Sequence, residues 1–400
     1  MLKILRTVPF FAPAFAYGGP VVHTYNISKI QASLGYNIRV FTTNILTNEI
    51  ISGELPRYEI LDGINVHRFP IRYRINQSHY FITPRLPFGF LKYKYDIIHS
   101  HSFRTFQTDI SSMFSAIKKK PFVFTAHGTL RDISLFNWFV KKEKEAKRIK
   151  FYDSIFKNLF LKVVDKIIVH SEYEKFWTIR NRIPKNLIEV IPHGVNIDHF
   201  LDKNYKRRFQ DKFKKTEKMI LYVGRMLRNY RNLEHLIIVL KDIIKEIPSA
   251  KLWLVGHVHD KDYEIELRKL VKKLNLRSNV LFLTHPTRAE VFGAYKCANV
   301  VVFPITNSDS FGIPVLEAGA AKAPIISIKR GPALELIQNG KTGILVEKNN
   351  LDQLKNAILK VLSDDELRKK LGQNGYQNVK RNYTWDIITK KTNQVYEELI

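Results

Sequence analysis

Cysteine occurs once in the 400 residues, as Cys297. An intrachain disulfide is therefore impossible and a cysteine-rich metal site is excluded, a usage that fits a reducing compartment. Acidic residues are also scarce: 37 Asp and Glu face 65 Lys and Arg, giving a formal net charge of +28 and a pI near 9.9. So large an excess requires an anionic partner, whether nucleic acid, an acidic bilayer surface or a phosphorylated substrate. Long apolar runs are missing. No stretch reaches the roughly eighteen uninterrupted apolar residues of a spanning helix, so any work at a membrane is done from its surface. The metal-binding spacings H-E-x-x-H and paired Cys do not occur, and no recognised nucleic-acid motif appears. Near the start, Lys3 and Arg6 precede the apolar residues Val8 to Ala16. That run is short and broken by Pro9 and Pro13, so it reads as folded structure rather than a leader.

What is present is the composition of a globular protein, 45% hydrophobic and 26% charged, and a length that suggests two domains. Leu2 to Arg6 reads as a strand. A loop with Gly18-Gly19-Pro20 follows, then helical apolar spacing over 21–34, a stop at Gly35 and a second strand over 37–42. This βαβ unit has glycines in its first crossover, the pattern of a doubly wound sheet, but their spacing is not the dinucleotide fingerprint. No acidic residue closes the second strand, where Thr42-Thr43-Asn44 stand. The two glycines instead suit a close backbone approach to a ligand.

Further strands are expected at Asp96 to His101, Pro121 to Thr129, Val163 to His170 and Ile188 to Pro192. Several end in histidine, and His127-Gly128 sits at a carboxyl edge where open α/β sheets bind ligands. Two segments interleave basic and aromatic residues. In 56–95, Arg68, Arg72, Arg74, Arg85, Lys92 and Lys94 alternate with Phe69, Tyr73, Tyr80, Phe81, Phe88, Phe90, Tyr93 and Tyr95. In 131–162, Lys141, Lys142, Lys144, Lys147, Arg148, Lys150 and Lys157 accompany Phe136, Trp138, Phe139, Phe151, Phe156 and Phe160. Such interleaving suits a single-strand nucleic-acid groove, a bilayer interface, or an aromatic core with a solvated basic face.

Around residue 196 the pattern starts again. Lys203 to Lys218 reads as a helix and linker. Strands then follow at 218–223, 251–255, 280–283, 300–303 and 324–328, with helices at 233–245, 265–274 and 289–298 between them. Residues 352–400 have helical spacing. Cys297 reads as a small helix residue packed in the core. The strand Val300 to Phe303 runs into a polar loop, Asn307 to Gly312, and then Pro314 where a helix can start. Unpaired N–H groups and the helix dipole there favour an anion. Asp309 and Glu317 flank the turn; beside an anion site they suggest a ligand with both phosphate and hydroxyls, while a loop cap and a solvated helix residue remain the plain alternative. Gly224-Arg225 and Arg231, after an earlier strand, add two permanent cations suited to a diphosphate.

These residues resemble the retaining glycosyltransferases of GT-B family 4 (glycosyl transferases group 1). The resemblance rests on Gly224-Arg225 with Arg231-Asn232-Leu233-Glu234, Pro192-His193-Gly194-Val195, and Asp309-Ser310-Phe311-Gly312-Ile313-Pro314-Val315-Leu316-Glu317. In order along the chain, Gly18-Gly19, His127-Gly128, His170-Ser171-Glu172, Gly331 to Val346 and Tyr383-Thr384-Trp385 agree with it. It implies an α/β, GT-B chain of two facing Rossmann-like, doubly wound domains with an interdomain cleft. The domains expected are 1–195 on the acceptor side and 196–375 on the nucleotide-sugar side, with a helix over 376–400 crossing back. It also implies site roles. Arg225 and Arg231 hold the diphosphate, Glu317 the ribose hydroxyls, and Asp309 with the backbone of Ser310-Phe311-Gly312 the donor sugar and phosphate. Gly224 opens the cation loop, His127 lies close to the sugar, and Gly18 and Gly19 approach the diphosphate. His127, Arg225, Arg231 and Asp309 are the catalytic candidates. Three positions depart from the family's usual residues: Asp309 stands for Glu and is followed by Ser310 where Gly is common, Arg231 stands for Lys, and His193 stands for Asn.

The implied activity is retaining transfer of a hexose-type sugar (EC 2.4) without metal or cofactor, from a nucleoside-diphosphate sugar, UDP- or GDP-linked. The acceptor is a glycan or lipid-linked molecule at an anionic membrane surface, or a soluble one; the place is the cytoplasm, peripheral to the inner face of the membrane. Two-carboxylate hydrolysis is the competing chemistry. A basic nucleic-acid-binding protein is the competing class, although nucleic acid is not the expected partner.

Overall fold

A computed structural model describes residues 1–47, 55–75, 80–130, 143–214, 217–228, 231–305 and 311–400. Asp309 and Ser310 lie outside the described residues, as do Asn307, Ser308 and residues 131–142 of the expected basic segment 131–162. The chain divides into two compact units: Met1–His193 with Trp385–Ile400, and Gly194–Thr384.

Unit one contains β1 (Lys3–Thr7), β2 (Asn37–Thr43), β3 (Tyr58–Leu61), β4 (Ile64–Phe69), the short pair β5 (Tyr73–Arg74) and β6 (Phe81–Ile82), β7 (Ile97–His101), β8 (Phe122–Thr125), β9 (Lys166–Val169) and β10 (Ile188–Val190). Eight of them form one sheet in the order β10-β9-β8-β7-β1-β2-β4-β3, parallel except for the antiparallel edge strand β3. Its strands are continuous apolar runs because both faces are covered. On one face Phe41, Phe90, Phe114, Phe122, Phe124 and Phe160 pack together. On the other, Ile4, Val40, Ile97 and Ile168 meet Trp385, Ile388, Val395 and Tyr396 of the helix Trp385–Glu397. The chain's last helix is thus part of unit one's core, while residues 376–382 belong to the helix Asp365–Asn382 of unit two.

The basic and aromatic stretch over 56–95 divides. Phe81, Phe90 and Tyr95 are core residues, and Tyr73 and Phe88 are exposed. Arg68 is buried, bonding to Glu59 at 2.6 Å and to the carbonyl of Ala12 at 2.6 Å. Arg39 stacks on Tyr93, 3.8 Å from the ring centre. In the second stretch, helical turns run over Glu143–Tyr152, Asp153–Lys157 and Asn158–Val163, with Phe151 and Leu159 exposed and Phe160 buried.

Unit two contains β11 (Lys218–Val223), β12 (Ala250–Val255), β13 (Val280–Leu283), β14 (Val300–Phe303), β15 (Ile325–Ile328) and β16 (Ile344–Val346). They form a wholly parallel sheet in the order β13-β12-β11-β14-β15-β16. This is the doubly wound order, and it reverses direction between β11 and β14, where such sheets open a crevice beyond their carboxyl ends. Helices with side-chain caps set the spacing: Asp260 caps Lys261–Lys273, and Thr287 with Glu290 forms a reciprocal capping box on Arg288–Cys297. Cys297 closes that helix half-buried, and burial pushes its thiol up to about 11. Among the described residues no helix is long and apolar enough to cross a membrane.

Candidate active site

In unit two, the residues singled out by charge lie on either side of the sheet's reversal point. Gly224 follows β11, and its N–H donates to the carbonyl of Val255 at 3.0 Å. A Cβ on the neighbouring Gly256 would lie 2.0 Å from the Gly224 oxygen, so the two connections touch through bare backbone. Arg225 is exposed just beyond, and its carbonyl accepts from the Tyr222 hydroxyl at 2.9 Å. Arg231 is buried, its guanidinium 5.8 Å from the centre of the Phe303 ring at the end of β14. The cation loop after β11 therefore reaches across to β14. His259 registers both cations: burial lowers its pKa first, and the charges of Arg225 and Arg231 lower it further.

The β14 side supplies the helix Ile313–Ala320. Gly312 enters it with φ 95°, a conformation that favours glycine, and Pro314 fits its first turn. Phe311 is a core residue packed near Tyr383, which leaves its main chain as the part able to meet a ligand. Glu317 accepts from the Tyr295 hydroxyl at 2.9 Å. Its carboxyl is raised chiefly by burial, while the Arg288 charge and the Tyr295 bond oppose the shift. A carboxylate fixed by a buried tyrosine presents its remaining acceptor capacity in one direction, which suits vicinal hydroxyls.

In unit one, Gly18 has φ 76° and no atom where a Cβ would stand, and Gly19 begins the helix Gly19–Ser33. His127 has φ 49° and follows β8. Its ring is engaged at both nitrogens: Nε2 pairs with His101 Nδ1 at 3.0 Å and Nδ1 pairs with His170 Nε2 at 3.0 Å. His23 packs against His127, His170 and His193, with ring centres 5.1, 4.8 and 5.2 Å away. Burial lowers the pKa of His23, His99, His101, His127 and His170, that of His170 to about 4. Among the described residues no three such side chains are placed to hold a metal ion.

Glu174 was not singled out by residue type, yet it ties two loops of this cluster together. It is buried, accepting from the main-chain N–H of His170 at 2.7 Å and from that of Gly128. The signal was available as Ser171-x-x-Glu174, a capping-box spacing in which Ser171 caps the helix and the carboxylate turns to the residue before it.

Residues 17–199 match the family description Glycosyltransferase Family 4, and residues 204–378 match Glycosyl transferases group 1. An uncharacterized glycosyltransferase of Methanocaldococcus jannaschii is 30% identical over 399 residues, spanning 96% of this chain and 95% of its own. The chain belongs to glycosyltransferase family 4. This family 4 glycosyltransferase also resembles the phosphatidyl-myo-inositol mannosyltransferase of Mycobacterium tuberculosis, 24% identical over 95% of this chain and 93% of that one. Its fold is GT-B: Anabaena HepE, solved in complex with UDP and glucose, matches it over 100% of both chains with a TM-score of 0.77 at 18% identity. As a family 4 glycosyltransferase (EC 2.4), it draws on a nucleotide sugar. Both matched regions carry candidate residues: Gly18, Gly19 and His127 in the first, Arg225, Arg231, Gly312 and Glu317 in the second.

Proposed function

We propose that the enzyme transfers a hexose-type sugar from a nucleoside-diphosphate sugar with retention of configuration, its donor held by unit two. The observation that carries this is the crossing of Arg231 from the β11 connection to the end of β14, on the other side of the reversal point from Arg225 and on the same side as Glu317. Arg225 and Arg231 hold the two phosphates, Gly224 lets the backbone approach them, and Glu317 accepts from the ribose hydroxyls. Asp309, Ser310 and the main chain at Phe311 and Gly312 meet the sugar and its phosphate. In the reaction, the bond between the anomeric carbon and the diphosphate oxygen breaks. The acceptor hydroxyl bonds to that carbon on the same face, and its proton passes to the departing diphosphate. The arginines stabilise the charge that develops there, so the chain needs no separate base. His127, with Gly18 and Gly19, is unit one's contribution to substrate contact. HepE was solved with UDP and glucose, which supports a UDP-sugar as the first donor to test, with GDP-sugars second.

The acceptor in this reading is a glycan or lipid-linked molecule at an anionic membrane. Phe88 and Leu91 of the helix Leu86–Lys92, and Met113 and Ile117 of the helix Phe106–Lys118 packed beside it, are exposed on a chain of net charge +28. The mycobacterial relative's name points to a phosphatidylinositol acceptor, which agrees in kind. Transfer assays with UDP-, GDP- and ADP-sugars in EDTA, with the product's anomer read by NMR, test the reaction. Inversion, or total dependence on added divalent metal, defeats it. Flotation with neutral and anionic vesicles tests the acceptor side, and equal recovery from both favours a soluble acceptor.

A further inference from the structure

We propose that the main-chain carbonyl of Ile191 sets the tautomers of His170, His127 and His101 in series, making His170 and His101 positioning residues for His127. The argument starts from an atom that can only accept. His170 Nδ1 lies 3.0 Å from the Ile191 oxygen, so that nitrogen carries the ring proton. Burial keeps the rings neutral, and a neutral imidazole has one N–H. His170 Nε2 is therefore bare and accepts from His127 Nδ1, 3.0 Å away. That leaves His127 Nε2 bare, to accept from His101 Nδ1 at 3.0 Å. The series ends at His101 Nε2, which is buried and has no hydrogen-bond partner among the described residues. A bare nitrogen in that position is what the ordering from Ile191 requires.

The reverse ordering places an N–H on both nitrogens of His170, a buried imidazolium. The groups around the three rings disfavour it. His23 from the helix Gly19–Ser33, His193 after β10, and His99 with Arg6 from the adjoining strands all contribute positive or potentially positive charge. Trp385 from the last helix is packed against His23 and His193 and is uncharged. Glu174, the one carboxylate in this set, already accepts from the main-chain N–H groups of His170 and Gly128.

A neighbouring ring gives an internal contrast. Tyr396 accepts from Arg6 Nη2 at 2.9 Å, and the same assignment turns its hydroxyl hydrogen to His99 Nδ1. His99 then carries its proton on Nε2 and donates to Thr125 Oγ1 at 2.7 Å. His99 and His101, stacked with ring centres 4.3 Å apart, hold opposite tautomers.

The consequence for transfer rests on the proposed role of His127. With Nδ1 held as a donor to His170, His127 meets a sugar hydroxyl only through Nε2, by displacing His101, and meets it as an acceptor. Two measurements separate the assignment from that role. Long-range proton–nitrogen spectra of protein with nitrogen-15 histidine, recorded at neutral pH without donor, read each tautomer directly. The expected pattern is Nδ1–H at His101, His127 and His170, and Nε2–H at His99. Nε2–H at His101 or His127, or a charged His170, overturns the proposal whatever the enzyme's substrate. In transfer assays, His170→Phe removes the acceptor for His127 Nδ1 and lowers kcat about tenfold or more, the cost of one lost buried hydrogen bond. His170→Gln offers a carbonyl oxygen near the same place, restores most of the rate and keeps the Nδ1–H signal of His127. Equal loss in both variants, with the tautomer of His127 unchanged, overturns the positioning role.

Discussion

Unit one, parallel but for its edge strand β3, and the wholly parallel unit two are both wound on two sides, but they place their polar groups differently. Unit one buries a set of histidines at the carboxyl ends of β7, β8, β9 and β10, where they bond mainly to one another and to backbone. Unit two has its arginines at the carboxyl ends, one exposed and one buried against Phe303, with a carboxylate held by Tyr295 on the helix Ile313–Ala320. Neutral groups that donate and accept suit orientation of an uncharged sugar or acceptor. Permanent cations suit phosphate, whose charge no change of pH near neutrality removes. On the proposed roles, one fold used twice carries two kinds of recognition, and the difference lies in the residues after each strand rather than in the strands.

The largest test of this contrast is Arg231→Ala. If Arg231 holds the departing diphosphate as proposed, its removal lowers kcat about a hundredfold or more, measured in a steady-state transfer assay; a loss below about threefold moves the diphosphate elsewhere. Asp309→Ala, outside the described residues, belongs beside it, with transfer falling far more than nucleotide affinity in calorimetry.

Acid distinguishes the units next. His23, His67, His99, His101, His127 and His170 of unit one have folded pKa values below the ordinary 6.5, so the unfolded chain binds more protons between the two values. Stability is then complete above about pH 6.5 and is lost as pH falls toward about 4, where His170 and His67 titrate. Each such group contributes up to about 1.4 kcal/mol per pH unit. Hydrogen exchange at pH 7.5 and 5.5 should show amides of β7, β8 and β9 losing protection before those of β11, β12 and β14. The reverse order breaks the comparison.

Gly256→Ala acts on the other unit. Its Cβ meets the Gly224 oxygen at 2.0 Å, and φ there is 145°, so unit two should lose about 1–3 kcal/mol in denaturant melts while the histidine spectra of unit one stay fixed. The smallest effect expected is that of Glu317→Gln. The Tyr295 bond survives and a buried charge is removed, so folding holds, while nucleotide affinity falls about tenfold as the ribose loses a charged acceptor. Unchanged affinity removes Glu317 from the donor site.

Sequence periodicity located five of the six described strands of unit two, each a buried apolar run such as Val300-Val301-Val302-Phe303, and left out the three-residue β16. It did not locate β3 and β4. Tyr58–Leu61 is an edge strand with no fully buried residue, and the arginines between the aromatics masked the pairing. The histidine cluster was only partly visible. His101, His127, His170 and His193 each follow an expected strand, but His23 and His99 gave no local signal. Their rings meet because strands distant in sequence are neighbours in the sheet, and the chain's linear spacing contains no trace of that order. Glu174 differs again: the spacing Ser171-x-x-Glu174 marks a helix start, but its bonds to the main chain of His170 and Gly128 are not visible in residue types.

The bonds from Arg6 to Tyr396, 390 positions apart, and from Gln31 to Asn393 have a consequence for synthesis. Unit two is a continuous segment and has all its residues once Thr384 has left the ribosome. Unit one, although translated first, waits with an uncovered sheet face until the helix bearing Trp385 and Tyr396 emerges. The half of the enzyme that is made earliest is therefore the one completed last, and a nascent chain halted before Trp385 carries exposed apolar surface of the kind chaperones bind.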